Sequence, residues 1–431
     1  MRRIDVLRFA LAAIVAAALV VAVSNVALAA TWHKLGTSGF TAAPNSITTT
    51  DMKRIKFNSV VTDNAGNVFS TAVNWNNNGT AGGLTIYKKL DTGSYQTIDV
   101  DLNALGYSGG VTKLVVGGDG AVYGLQNWLE IQWPYNSGVS NRIIKIDTNG
   151  GVTEIVNAGA ASDSNRIGGM TVGADGNIYY TLNGATTYGK FHYLWRYNTT
   201  TGQIEEAPIN STNNGWSETH RMFDLEWVGG QNFNILTSGS SNWRQDPIGW
   251  ETNRTVGASS NPGWGRDWIT ATAYDPINRA LWVGGRGSSN TSIMTRFNNI
   301  TDGVAQSQDV FHATNSSTAG ANGGDLWVAS IAIDPRNGNA WMGFGGVTSY
   351  VKDRGQVMVR GTDLSYWSEG TPEEGADVVG LTFGEGAAYA LVFNRTTGEY
   401  STYYAAVPEP SALLAMVFGL AGWVGRKRRR V

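Results

Sequence analysis

Apolar and polar positions between residues 31 and 406 recur as a unit. A short apolar strand runs into a turn of Asp, Gly and Asn, and an aromatic residue opens the next strand. Seven copies are legible: Phe57–Phe69, Val111–Tyr123, Ile167–Tyr179, Phe223–Phe233, Ile269–Trp282, Val328–Trp341 and Val378–Tyr389. Their turn residues Gly66, Gly120, Gly176, Gly230, Asn278, Gly338 and Gly386 are 48 to 60 residues apart. Alternation around a Gly- or Asn-bearing turn is the pattern of a β-hairpin. Several units continue into a second hairpin, at Arg142–Ile155, Leu194–Glu206, Ile293–Val310 and Val357–Trp367.

Two hairpins make a four-stranded blade. A blade repeated at this period predicts an all-β, seven-bladed β-propeller over residues 30–406, with six or eight blades also compatible. The second hairpin of the fourth unit is not evident after Trp243, and the last unit shows only its outer strands, Ala388–Asn394 and Tyr400–Tyr404. Thr31–Thr50 precedes the first unit and is expected to supply a strand that closes the ring. No unit closes on Trp-Asp, so the repeat is not of the WD40 kind. The turns Asp275-Pro276-Ile277-Asn278 before Leu281-Trp282, and Asp334-Pro335-Arg336-Asn337 before Ala340-Trp341, resemble those of NHL-type and two-component-regulator-type propellers. That resemblance implies a ligand- or partner-binding propeller and nothing finer.

Candidate chemistry concentrates in the longer connections, those between strands two and three of a blade and those between blades. Loops of one propeller face are the usual place for a ligand. They hold Trp128 and Trp133, Trp216, Trp243 and Trp250, then Trp264, Arg266 and Trp268, among Asn and Asp residues. Aromatic rings stack on the apolar faces of sugars, and amides and charges bond their hydroxyls. Glycan binding is therefore the expected function, with these eight residues as candidate ligand contacts. The competing reading puts each indole between blades, with its N–H on a partner. A catalytic reading would fall on Asp224, Glu226, Asp267 and His220, as the acid cluster of a lyase or glycosidase. Zincin, Gly-x-Ser-x-Gly and P-loop signatures are absent from the sequence. The oxygen-rich turns at Asp63, Asp147 and Asp175 lack EF-hand spacing and read as Asx turns. No cofactor or metal is expected, with calcium at those turns as the weaker alternative. A purely structural surface role is the third functional reading.

Composition supports a globular exported body. Cysteine is absent, which excludes disulfides, zinc thiolates and a cysteine nucleophile. Charged residues are only 15%, and the overall charge of −2 hides an asymmetry. Residues 1–29 carry three Arg and one Asp, and residues 411–431 carry four Arg, one Lys and no acid. Between these ends, 24 bases stand against 33 acids, a net of −9. Nucleic acid is therefore not expected as a partner.

The ends supply an address. Met1-Arg2-Arg3 and Arg8 precede an apolar run from Phe9 to Val23, and Ala27-Leu28-Ala29 follows. This order predicts a secretory signal peptide over 1–29, with Ala27 and Ala29 at the cleavage site. At the other end, Pro408-Glu409-Pro410 leads into an apolar stretch from Ala412 to Val424, then Arg426-Lys427-Arg428-Arg429-Arg430. The basic cluster is expected to stay cytoplasmic while the stretch sits in the inner membrane. This three-part tail over 407–431 resembles the PEP-CTERM sorting signal. The resemblance implies a Gram-negative host, recognition by the membrane enzyme exosortase after passage through the secretion machinery, and release to or attachment at the cell surface or its exopolysaccharide matrix.

Overall fold

The computed structural model describes residues 30–41, 59–74, 81–107, 109–126, 140–160, 167–184, 191–207, 221–230, 232–238, 243–249, 268–286, 292–300, 306–312, 326–346 and 355–407. Residues 1–29, where a signal peptide is expected, and the tail beyond Val407 lie outside them. The described residues are all-β, with no helix among them.

They form a β-propeller of seven antiparallel sheets. Six are complete four-stranded blades, and the fourth in chain order has three described strands. Blade two shows the plan: Val111–Val116, Val122–Gln126, Ser140–Ile146 and Val152–Ala160, innermost to outermost. The innermost strands of the other blades are Val60–Thr62, Ile167–Val172, Arg221–Trp227, Trp268–Asp275, Leu326–Ile333 and Asp377–Gly384. Each packs against the next around the axis, and the last returns to the first. Among the described residues blade four shows Arg221–Trp227, Asn232–Ser238 and Trp243–Gly249.

The ring closes as the sequence suggests. His33–Thr41 pairs antiparallel with Glu399–Ala406, so blade seven takes its outermost strand from the start of the body. Closing a sheet ring with both chain ends removes the open edge that an isolated last blade would present. The strand also reaches blade one. The Phe40 ring lies where a side chain at Gly83 would stand, and Tyr87 lies against Gly36. Thr85 Oγ1 bonds Ser38 Oγ and Asp99 Oδ1, each at 2.7 Å.

The core runs between blades, because each sheet buries both faces against its neighbours. Phe69, Leu84, Ile86 and Val100 of blade one pack with Val111, Leu114, Val122, Ile144 and Ile146 of blade two. Trp282 and Met294 of blade five pack with Val328, Met342 and Phe344 of blade six. The aromatic residue that opens strand two is buried in blades one, two, three, five, six and seven, at Phe69, Tyr123, Tyr179, Trp282, Trp341 and Tyr389.

The turn glycines Gly66, Gly120, Gly176, Gly338 and Gly386 have φ between +75° and +81°, where only glycine is unstrained. Blade five differs. The sequence points to Asn278 as its turn residue, but the positive φ falls on the next residue, Arg279, at +49°. Asn278 instead donates from Nδ2 to Asp275 Oδ2 at 2.6 Å, which holds the turn without glycine. A feature absent from the sequence reading is a register shift within the innermost hairpin of blades two to seven, for example between Val111 and Lys113. Such bulges bend a strand and increase its twist.

Candidate functional site

A propeller offers two faces and an axis. On one face stand the turns that join strands one and two, and those that join strands three and four. Their polar groups satisfy one another. Asp63 Oδ1 accepts from the Ala65 and Asn67 amides at 2.9 Å, and Oδ2 accepts from Asn67 Nδ2 at 2.7 Å. Asn67 Oδ1 then accepts from the Lys89 amide at 2.8 Å, tying the inner turn to the outer one. Asp175 and Asn177 repeat the arrangement, with the Thr199 amide on Asn177 Oδ1. Asp147 Oδ1 accepts from the Asn149 and Gly151 amides. All three oxygen-rich turns are Asx turns.

Two turn aspartates, Asp119 and Asp175, also reach back into the blade. Tyr123 donates to Asp119 Oδ2 at 2.8 Å, and Lys145 Nζ does the same. Burial pushes the Asp119 carboxyl up, but Lys145, Tyr123 and the Ala121 amide outweigh it and hold the group below its usual range. Tyr179 donates to Asp175 Oδ2 at 2.9 Å, and burial with that carboxylate pushes its hydroxyl up to about 12. Neighbouring blades are stitched together here. The Gly118 amide donates to the Gly176 carbonyl at 2.7 Å, an approach that a side chain at either position would block. Arg296 Nη1 donates to the Thr362 carbonyl at 2.6 Å. This face is taken up with holding the fold.

Near the axis, among the described residues, one side chain reaches past a neighbouring blade. Lys113, on the innermost strand of blade two, donates from Nζ to the Leu225 carbonyl of blade four at 3.0 Å. It also lies 3.8 Å from Glu226 Oε2, with the two side chains 21% and 22% exposed. Blade three stands between them, and its innermost strand carries Gly168-Gly169, with no side chain at either position. Glu226 is thus an ion-pair partner across the axis.

The opposite face receives the ends of the strands that flank the long connections. Trp128 and Trp133 fall between the second and third strands of blade two, and Trp216 and His220 fall between blades three and four. Trp250, Trp264, Arg266 and Asp267 fall between blades four and five. All of these lie outside the described residues. Trp243 and Trp268 are each the first residue of a strand, paired in register with Ser238 and Arg286. Asp224 pairs in register with Leu236 on the innermost hairpin of blade four.

Among the connections on this face that are described throughout is that of residues 369–376, between blades six and seven. Its acids hold the last blade. Glu373 accepts from Asn394 Nδ2 at 2.6 Å and from the Tyr403 hydroxyl at 2.7 Å. At its end Asp377, fully buried, pairs with Arg395. Sequence reasoning did not single out Glu369, Glu373 or Asp377, because, Trp367 apart, their side-chain partners lie 18 to 339 residues away.

Comparison with known proteins agrees with this architecture. The model of the PEP-CTERM protein-sorting motif matches residues 406–430. No curated protein matches the chain. Among solved structures, virginiamycin B lyase from Staphylococcus aureus superposes with a TM-score of 0.54 at 13% identity, over 86% of this chain and 98% of that one. A streptogramin B lyase gives 0.50 at 13% identity, over 88% and 98%. Raptor from Chaetomium thermophilum gives 0.50 at 10% identity, over 88% of this chain and 29% of its own. At such identities the likeness is one of fold. The motif implies sorting by exosortase, with export and processing of a membrane anchor. The chain is a β-propeller protein that carries the PEP-CTERM protein-sorting motif at residues 406–430.

Proposed function

We propose that the mature protein is a polysaccharide-binding module at the cell surface or in the extracellular matrix. Residues 1–29 direct export and are removed, residues 30–406 form the binding body, and residues 407–431 hold the chain in the inner membrane until exosortase acts. The observation that supports this reading is the division of labour between faces. The short turns of one face bond one another, while the sequence of the long connections holds Trp128, Trp133, Trp216, Trp250, Trp264 and Arg266, and Trp243 and Trp268 open the strands that follow two of them. Clustered indoles beside amides and a guanidinium suit sugar rings, which are apolar on their faces and polar at their edges. The net charge of −9 between the two ends disfavours nucleic acid.

The test is affinity electrophoresis of the exported protein against a panel of polysaccharides, including that of the host, with parallel assay of released reducing ends. Retardation without release, abolished by Trp128→Ala together with Trp264→Ala, is expected. Release of products would instead identify a carbohydrate-active enzyme and direct attention to Asp224, Glu226, Asp267 and His220. Neither retardation nor release would leave a structural role.

A further inference from the structure

The carboxyl of Glu369 is buried at the outer edge of blade six, with 8% of the residue exposed. It faces two donors. Trp367 Nε1 donates to Oε1 at 2.6 Å, and the backbone nitrogen of Ala30 donates to Oε2 at 3.0 Å. Among the described residues no cation pairs with it. Trp32 Nε1 donates to the Glu369 carbonyl at 2.9 Å, so the segment 30–32 is moored to this residue twice. Gly370 leaves room for the chain, since a side chain there would meet the Ala30 carbonyl at 3.3 Å. Trp32 packs edge-on against Trp341 at 6.5 Å, and Trp32, Trp367 and Val407 cover the same apolar cluster. A buried carboxylate without a cation is costly, and burial pushes this carboxyl above its usual range despite the Trp367 and Ala30 bonds.

We infer that Glu369 is the receptor for the N-terminus created by signal-peptide cleavage: the α-ammonium of Ala30 forms a buried ion pair with the Glu369 carboxylate and fastens the ring-closing strand. This rests on cleavage after Ala29. Hydrolysis of the Ala29–Ala30 bond consumes one water and leaves a carboxylate on Ala29 and an ammonium on Ala30. The atom that already faces Oε2 thereby changes from a neutral amide into a cation, without moving. The closing strand begins three residues later, at His33. The precursor closes the ring through the pairing of His33–Thr41 with Glu399–Ala406, and cleavage adds this ion pair to it.

The experiment uses the full chain, processed by its host and recovered from the exported fraction. N-terminal mass analysis comes first, and a chain starting at Ala30 is expected. Any other start overturns the cleavage reading and the inference with it. Reductive dimethylation near neutral pH then compares the α-amine of the wild type with that of Glu369→Gln. Ion pairing that raises the amine by one pKa unit slows labelling about tenfold relative to the variant. Equal rates on chains that both begin at Ala30 overturn the capture while leaving cleavage intact. A glycine inserted between Ala29 and Ala30 displaces the ammonium by one residue. It should lower the melting temperature by roughly 2–4 °C in the wild type and by little in Glu369→Gln. An equal loss in both backgrounds also overturns the inference.

Discussion

Asp175 shows what a single residue contributes. Its carboxylate satisfies the Asn177 amide, the Asn177 side chain and the Tyr179 hydroxyl, the last belonging to a buried ring. Asp175→Ala removes all three and takes from the Tyr179 hydroxyl the acceptor of its proton, leaving Arg196 beside it. A loss of about 1–3 kcal/mol is expected from urea denaturation. Asp119 adds a pH dependence. Its folded-state carboxyl is held below the usual range, so it binds protons less readily than in the unfolded chain. Its contribution is therefore complete above the unfolded value of about 3.9 and fades as pH falls through the lower folded value. Lys145→Met should flatten the acid limb of a stability–pH curve, and an unchanged limb would refute this assignment. The turn aspartates were legible because an Asx turn is written in consecutive residues. The tyrosines that bond them were legible only as strand openers, since spacing does not say where a hydroxyl ends. The left-handed Arg279 carried no signal, because arginine is not the residue that conformation favours.

At the scale of the element, ring closure depends on one strand far from its partners in sequence. Thr31–Thr50 was a candidate because the last unit lacked a strand, and His33–Thr41 fills that place. Register decides its neighbours: Gly83 stands where the Phe40 ring must fit. Gly83→Val would displace that ring. A loss of roughly 1–3 kcal/mol is expected, read as a lower urea midpoint at unchanged slope. Deleting residues 31–41 leaves Glu399–Ala406 as an open edge and removes the Phe40 packing. The expected outcome is a lower melting temperature with concentration-dependent association, measured by calorimetry and light scattering. The strand pattern was legible because alternation and turn chemistry are local. The recurring shift near the start of the innermost strands was not, since a bulge there is set by packing around the axis.

Across the whole molecule, neighbouring blades are bonded to one another. The turn face links its blades through Gly118 with Gly176, Lys88 with Asn149, and Arg336 with the Val407 carbonyl. Val407 immediately precedes the sorting box, so the body ends in a fixed position between blades six and seven. The address was legible at both ends because sorting enzymes read short linear signals. The candidate contacts were legible only as a composition of loops, since which indoles meet a ligand depends on loop geometry that no local pattern encodes. Retention on polysaccharide should depend weakly on salt, because stacking and hydrogen bonds between uncharged groups are not screened. Titrating sodium chloride in the electrophoresis buffer checks this.

The central claim is that this propeller is exported to hold polysaccharide through its long-loop face. The most direct measurement is the distribution of the protein in its own host between matrix polysaccharide and surrounding medium, with the intact mass of each fraction. The account predicts a chain that lacks residues 1–29 and is retained in the matrix, and a Trp128→Ala plus Trp264→Ala variant of the same processed mass that shifts to the medium. An unchanged distribution for that variant would contradict the account.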